Sequence, residues 1–481
     1  MLLYGNIEVD DIIYDSRKAK TGTIFVCMRG AVTDGHKYAA EAYDKGCRVF
    51  LCEEQLALPP DSGVIQIINS DTRLELAKIS AQFFGYPAKK LKIIGVTGTK
   101  GKTSVAAYIF NILNRSGIKA GFIGTTGIII GEKRISTVNS TPESYELHKT
   151  FADMVNNDIE YAVMEVSSQA YKLNRVYGLE FEIGIYTNLS PDHISAGEHE
   201  NFEEYKYYKT QLFKNSKRVI FNADDKYGRE MASNAKYLIK SYAVNNQADF
   251  MGSDIALWRN DNILGVQYKY NGEEVYVKTP GIFSVYNSLA AISACETLGI
   301  GINNILRALK NISVKGRFEI VQALPRVVFI IDYAHNELSM RAALETIREY
   351  RPKRLICLFG SVGGKAKSRR FGLGQAAGEL SDFCIITSDN PDYEDPLDII
   401  SEIELGVKSN IKNCAYIVIA DREKAVEYAV LNAAEGDVIL FAGKGHEDYQ
   451  IIKGEYVPFS ETEIIKRTCE SILLSSCQTY I

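Results

Sequence analysis

LKIIGVTGTKGKTSVAAYIFNILNRSG, residues 91–117, passes from an apolar strand through a glycine-rich turn into an amphipathic helix that Gly117 ends. Strand, glycine loop and helix in that order form a phosphate-binding unit, because the free amides of the helix N-terminus point at an anion and the helix dipole favours it. Within GVTGTKGKTS, residues 95–104, Lys102 supplies a point charge for the β- and γ-phosphates and the Thr103 hydroxyl a ligand for Mg²⁺. Measured against the pattern G-x-x-x-x-G-K-[ST], the stretch has Gly101, Lys102 and Thr103 but carries Val96 where the first glycine belongs. A plain glycine-rich turn would leave the lysine unexplained, so a P-loop is expected here.

On the N-terminal side, from Ile12 to about Lys92, short β-rich runs (TIFVCMRG, CRVFLCEE, GVIQIIN) alternate with polar helical stretches such as KYAAEAYDKG. On the C-terminal side, the strand candidates YAVMEV, EIGIYTNL and RVIFNA alternate with helices as far as GRFEIV. A further series follows, VVFIIDYA, RLICLFG, DFCIITSDN, AYIVIA and DVILFAG, each separated by a helical stretch. Such alternation predicts mostly parallel α/β sheets. With 481 residues the chain exceeds one core, and three domains are expected: 1–92, 93–322 and 323–481.

Composition narrows the function. Hydrophobic residues at 46% and charged residues at 24% describe a chain folded throughout. The net charge of −5, without a basic block or stripe, excludes a general nucleic-acid binder. Nine cysteines, odd in number, lacking a C-x-x-C pair and set in apolar runs such as those of Cys357 and Cys384, read as buried thiols of a reducing compartment. The start MLLYGNIEVDD is no signal peptide, and no run of ~18 apolar residues occurs, so a cytoplasmic protein is expected.

A second signal is a lysine in an apolar setting. In NFEEYKYYKTQLF, helical spacing gathers Phe202, Tyr205, Tyr208, Leu212 and Phe213 on one face, and Lys209 falls inside that arc. Lysine is rarely buried unless paired; the plain alternative is a stem that packs while its ammonium reaches water. Nearby candidate strand ends carry Glu165, in MEVSS, and Asp192 and His193, in NLSPDH. Ligands of open α/β sheets bind at such ends, and a carboxylate and an imidazole there suit Mg²⁺ beside a nucleotide. DYAHN (332–336) and GKGHE (443–447) also follow apolar strands, as functional loops or as ordinary polar ones.

Together these residues closely resemble the Mur ligase family, and within it the branch that makes a muramyl tripeptide. The resemblance covers nearly the whole chain, with its elements in family order: DSR (15–17), DGH (34–36), TGTKGKTS, STPES (140–144), MEVSSQAYKLNR (164–175), TNLSPDH, YKTQLF, GIFSVYNSLAA, KGRFE, DYAH, DNP and GKGHEDYQ. It implies a UDP-binding N-terminal domain, a central P-loop ATPase domain and a C-terminal Rossmann-like domain. By the same resemblance, UDP-N-acetylmuramoyl-L-alanyl-D-glutamate meets Ser16, Ala31, Val32, Thr33, Asn139, Ser140, Thr141, Ser167 and Arg175. ATP meets Thr99, Lys100, Gly101, Lys102, Thr103, Asn287, Arg317 and Asp332. Lys209 corresponds to a lysine that the family carries as a carbamate formed with carbon dioxide, an anion able to hold Mg²⁺ with Thr103, Glu165 and His193. Lys102, Lys209, His193 and Glu165 are the implied catalytic set. Ser140 and Ser284 depart from family habit, and Ser284 is assigned no role.

The implied reaction is an ATP-dependent amide ligation through an acyl phosphate, in a monomer that inserts in no membrane and whose C-terminal domain closes over the site. The incoming diamino acid is implied to meet Arg370, Asp389, Asn390, Asp392, Gly443 and Glu447, with Arg370 on its α-carboxylate. Members that take meso-diaminopimelate usually carry DNPR, whereas this chain reads DNPD. Asp392 would repel a distal carboxylate and attract an ammonium by, unscreened, on the order of 4 kcal/mol at ~4 Å and an effective dielectric near ~20, so L-lysine is expected, with meso-diaminopimelate or L-ornithine as alternatives. Two other readings are a folylpolyglutamate synthetase-like ligase, against which DSR and DGH argue, and an inactive paralogue that binds the muramyl peptide, against which the complete set of charged residues argues.

Overall fold

The computed structural model describes residues 2–3, 7–30, 33–59, 63–191, 194, 198–233, 235, 237–364, 367–410 and 414–478. The chain divides into two compact units, Met1–Met251 with Leu289–Ile305, and Gly252–Ser288 with Leu306–Ile481.

After a short antiparallel pair, Leu2–Leu3 with Ile7–Glu8, the first unit has four parallel strands in sequence order, Asp11–Ile13, Thr23–Val26, Val49–Cys52 and Ile65–Ile68. Their period-two alternation divides the apolar residues between two faces. Ile12, Ile24, Val26 and Leu51 pack with Leu76 and Ile79 of the helix Thr72–Phe83, while Ile13, Phe25, Phe50 and Cys52 build the core on the other side. Asp71 starts that helix by accepting the Leu74 N–H.

A larger sheet follows in the same unit. Lys92–Thr97 lies at its centre, parallel to Tyr161–Glu165 on one side and to Ile183–Tyr186 on the other. Ala120–Gly124 lies beyond Tyr161–Glu165, and Arg218–Asn222 and Leu238–Ala243 extend the opposite flank. The chain therefore reverses its winding direction at Lys92–Thr97, and such a switch opens a crevice at the carboxyl ends of the strands. The helix Phe202–Lys214 packs closely over this centre. A Cβ on Gly95 would lie 2.9 Å from Leu212 and 2.8 Å from Phe181.

The strand Phe250–Asn260 begins in the first unit and continues in the second, where it pairs antiparallel with Ile263–Tyr270, which pairs in turn with Glu273–Val277. Sequence reading did not single out this meander. The second unit's main sheet runs Glu319–Val321, Val328–Asp332, Val438–Ala442, Leu355–Phe359, Phe383–Ile386 and Ala415–Val418, with only Glu319–Val321 antiparallel. Helices Glu337–Arg348, Ser368–Leu380 and Pro396–Lys408 cover one face; Arg422–Leu431 and Glu461–Gln478 cover the other. Val438–Ala442, late in sequence, inserts between Val328–Asp332 and Leu355–Phe359, so the loops after these three strands gather at one edge.

Among the described residues no helix is long and apolar enough to cross a membrane. The described cysteines are free thiols and nearly all are buried, as their apolar settings predict.

Candidate active site

The P-loop turns on two glycines. Gly98 has φ +146°, and a Cβ there would lie 1.9 Å from the Thr187 hydroxyl oxygen; Gly101, with φ +87°, leads into the helix Lys102–Arg115. The neighbouring strand end braces the loop. The Thr99 N–H donates to the Asn188 carbonyl (2.8 Å), the Lys100 N–H to Asn188 Oδ1 (2.9 Å), and the Ser190 N–H to Thr99 Oγ1 (3.0 Å). Lys102 folds back so that Nζ donates to the carbonyls of Gly98 (2.9 Å) and Thr99 (3.0 Å). This fixes an ammonium, a buried Thr103 hydroxyl and a helix N-terminus at the sheet's switch point, an arrangement suited to a polyphosphate.

Lys209 joins this loop. It is 2% exposed, its Nζ donates to the same Gly98 carbonyl (2.8 Å), and it stands 4.6 Å from the Tyr205 ring centroid. The alternative of an ammonium reaching water does not hold. Tyr205 in turn shares a hydrogen bond with Thr99 Oγ1 (3.1 Å). Glu165, also buried, ends the strand beside the P-loop strand; its carboxylate accepts the Thr125 N–H (2.7 Å) and hydroxyl (3.2 Å). His193 and Asp192 lie outside the described residues. Among the described residues no three His, Cys, Asp or Glu side chains gather as a metal site. The oxygen donors at hand, Thr103 and Glu165, are the hard type that Mg²⁺ prefers.

Two linked clusters stand elsewhere in the first unit. A cavity of about 570 Å³ in the N-terminal part is lined by Ser16, Arg17, Thr33 and Arg73 among others, and the Ser16 hydroxyl donates to Glu41 (2.8 Å). Thr141 Oγ1 accepts the Ser167 N–H (3.1 Å) and donates to the Glu165 carbonyl (2.9 Å), while Arg175 donates to the Thr141 carbonyl (3.2 Å). Glu143 binds Arg175 (2.7 Å) and Arg73 (3.2 Å), so it ties the two clusters together. Arg73 and Glu143 were not singled out from sequence as ligand contacts. Arg73 lies in an ordinary helix, TRLELAKISAQF, with no motif around it. Asn139 and Ser140 are half-buried near this cluster's chain segment; Ala31 and Val32 lie outside the described residues.

In the second unit, Asn287 is buried on the helix Phe283–Thr297, and Ser284 turns its hydroxyl to the Pro280 carbonyl (2.9 Å). Asp332 accepts the Phe318 N–H (2.9 Å), and the Arg317 guanidinium lies 5.0 Å from the Tyr333 ring centroid. Loss of water pushes the Asp332 carboxyl up, while Arg317 and the amides of Phe318, Ala334 and Tyr333 pull it back.

The loops gathered at this unit's sheet edge line a cavity of about 340 Å³ that brings together Asp389, Asn390, Asp392, Gly443 and Glu447. Lys444, fully buried, organises one wall. Its ammonium donates to Asn390 Oδ1 (2.6 Å) and Glu447 Oε2 (2.9 Å) and lies 3.4 Å from Asp389. Lys444 stands between the expected Gly443 and Glu447 of GKGHE, and its glycine-flanked place after an apolar strand is the sequence signal for it. Gly443 has φ +107°, and a Cβ there would lie 2.6 Å from Asp389 Oδ2.

Two expected contacts are differently engaged. Arg370 is fully buried and forks onto Glu394 (two bonds of 2.7 Å) and Glu402 (3.2 Å), holding the Glu394 carboxyl down to about 2. Its neighbour Arg369, not Arg370, lines the cavity. Asp392 has φ +54°, and its Oδ1 accepts the Gly454 N–H (2.9 Å). Its backbone also bonds to Ile451 and Lys453, so it caps the hairpin formed by Tyr449–Ile452 and Glu455–Pro458.

Three family models match consecutive parts of the chain: the Mur ligase family catalytic domain at residues 8–86, the Mur ligase middle domain at 96–295, and the Mur ligase glutamate ligase domain at 316–445. A UDP-N-acetylmuramoyl-L-alanyl-D-glutamate–2,6-diaminopimelate ligase of Caldanaerobacter subterraneus subsp. tengcongensis is 42% identical over 466 residues, 96% of this chain and 95% of the relative. The chain belongs to the Mur ligase family. Like the family, this Mur ligase is an ATP-dependent ligase of three-domain α/β architecture. It is similar to a Clostridium botulinum protein of the same name, 41% identical over 97% of this chain and 96% of that one. A solved structure bearing that name matches 97% of this chain and 95% of its own, with TM-score 0.65 and 26% identity. These relatives are named for 2,6-diaminopimelate, which favours that alternative over the expected L-lysine. Asp392 lines the cavity with one carboxylate oxygen, Oδ1, committed to the Gly454 N–H at a hairpin turn.

Proposed function

We propose that this Mur ligase joins 2,6-diaminopimelate to UDP-N-acetylmuramoyl-L-alanyl-D-glutamate in peptidoglycan synthesis, in the cytoplasm and as a monomer. The observation that carries this is similarity of 42% over almost the full length of both chains to a ligase named for that reaction. The expected domains 1–92, 93–322 and 323–481 remain the working division, supported by three family matches that begin and end within them or close to their edges.

In this reading the muramyl peptide meets Ser16 and Thr33, with Ala31 and Val32, and then Asn139, Ser140, Thr141, Ser167 and Arg175. ATP meets Thr99 to Thr103, Asn287, Arg317 and Asp332. Mg²⁺ would be held by Thr103, Glu165, His193 and Lys209 as its carbamate, and when bound it supplies charge neutralisation at the phosphates. Both Lys102 and Lys209 donate to the Gly98 carbonyl, so two ammonium groups stand side by side. Addition of carbon dioxide to the Lys209 amine reverses one of those charges, which supports the carbamate. The glutamyl carboxylate attacks the γ-phosphate and expels ADP, and Lys102 with the loop amides offsets the repulsion between the two anions. The diamino acid's amine then attacks the acyl carbon, gives up a proton and expels phosphate, which leaves the amide. Arg370, Asp389, Asn390, Asp392, Gly443 and Glu447 orient that amino acid.

Phosphate release measured with ATP, Mg²⁺, the UDP-muramyl dipeptide and 2,6-diaminopimelate, each omitted in turn, tests the reading. Release that needs all of them is expected. Release stimulated by a pteroate instead of the muramyl dipeptide would overturn it.

A further inference from the structure

The amino-acid cavity carries its charges unevenly. Among the described residues, Asp389, Asp392 and Glu447 are the anions of its lining, and Arg369 is the cation. Two of the anions are compensated by Lys444 from behind, and the third is bonded to the Gly454 amide. Among the described residues no side chain or backbone group pairs with Arg369, and it is exposed at the first turn of the helix Ser368–Leu380. Arg370, about 100° further around the helix, turns inward and is locked by Glu394 and Glu402. The two adjacent arginines therefore divide their work, one holding the loop and the other facing the cavity.

2,6-Diaminopimelate and L-lysine share an α-amine, an α-carboxylate and an apolar spacer. They differ in the distal carboxylate. A guanidinium without a protein partner is the group that a carboxylate can engage through two parallel N–H···O bonds, at no loss of an existing ion pair. We propose that Arg369 is the residue that selects the distal carboxylate of 2,6-diaminopimelate, the position after DNP being unable to do so because it is Asp392. This rests on the proposed function above. Arg369 sets specificity through direct contact.

The test is the ratio of kcat/KM for meso-diaminopimelate to that for L-lysine, in the full-length enzyme and in Arg369→Met. A charge-assisted bidentate contact is worth roughly 10- to 100-fold in affinity, so the ratio is expected to fall by about that factor, chiefly through KM for diaminopimelate. Arg369→Lys should keep part of it. L-2-Aminopimelate, which has the distal carboxylate without the ammonium, should lose as much as diaminopimelate does in Arg369→Met. Because the side chain is exposed and unpaired, the variant should melt with the parent. A ratio within twofold of the parent's overturns the inference, including the case in which both substrates lose equally because Arg369 holds the α-carboxylate. Failure of the parent enzyme to incorporate meso-diaminopimelate at all overturns the function reading and this inference with it.

Discussion

The phosphate loop and the amino-acid cavity are both built at the carboxyl ends of parallel strands, yet they are held in different ways. The phosphate loop is a backbone structure: positive φ at Gly98 and Gly101, amide bonds to Asn188, and lysines that reach carbonyls a few residues or one helix away. The amino-acid cavity is a balance of side-chain charges drawn from four separate loops, with Lys444 compensating Asp389 and Glu447. Backbone sites tolerate little variation in sequence and bind what every member of a family binds. Charge-balanced sites can be retuned one residue at a time, which suits the proposed role of this cavity in choosing the amino acid.

The sharpest way to break the contrast is at Lys102. Lys102→Ala should lower turnover by about 10³-fold, since it removes a fixed donor from the transferring phosphate, and should leave the melting temperature nearly unchanged. Phosphate release and calorimetry on the same preparation check both halves; retention of a tenth of the activity would remove the loop from the mechanism.

Lys209→Arg probes the other ammonium at Gly98. Arginine keeps a cation but cannot carry a carbamate, so a loss of about 10²-fold is expected, and bicarbonate should restore the parent, but not the variant, after carbon dioxide is stripped from the buffer. Full activity in the variant would mean that a cation is all the site needs.

Substitution of Lys444 should act on stability before chemistry. Lys444→Met leaves Asp389 and Glu447 facing each other without their buried cation, at a cost of about 3 kcal/mol, and the double variant with Glu447→Gln should recover part of it. Denaturant unfolding followed in the C-terminal unit reports this. Equal loss in single and double variants would show that Lys444 acts by packing rather than by charge.

The smallest effect is expected at Asp392. Asp392→Asn keeps the oxygen that accepts from Gly454, so selectivity between meso-diaminopimelate and L-lysine should move by less than about threefold, far below the several powers of ten that an uncommitted carboxylate would command. A larger swing would return specificity to Asp392.

The same contrast governs how much the sequence disclosed. Residues 91–117 announce their structure locally, because strand, glycines, lysine and helix are contiguous and each has one conformational use. Lys209 was legible too, since helical spacing alone puts it among apolar neighbours, and it is buried. In the C-terminal unit the loops were recognisable as sites, but the roles of single residues were not. Whether Asp392 faces a ligand or caps a hairpin depends on Gly454, 62 residues away. Arg369 and Arg370 are chemically identical in sequence, and only the helix phase and the positions of Glu394 and Glu402 separate the locked one from the one that lines the cavity. Local motifs fix backbone geometry; long-range charge pairing has to be seen.

Direct competition tests the identity of the amino acid. With ATP, Mg²⁺ and UDP-N-acetylmuramoyl-L-alanyl-D-glutamate saturating, meso-diaminopimelate and L-lysine would be offered at equal concentration and the tripeptide products separated by mass. Product containing diaminopimelate in large excess is the expected result, and a majority of lysine-containing product would contradict it.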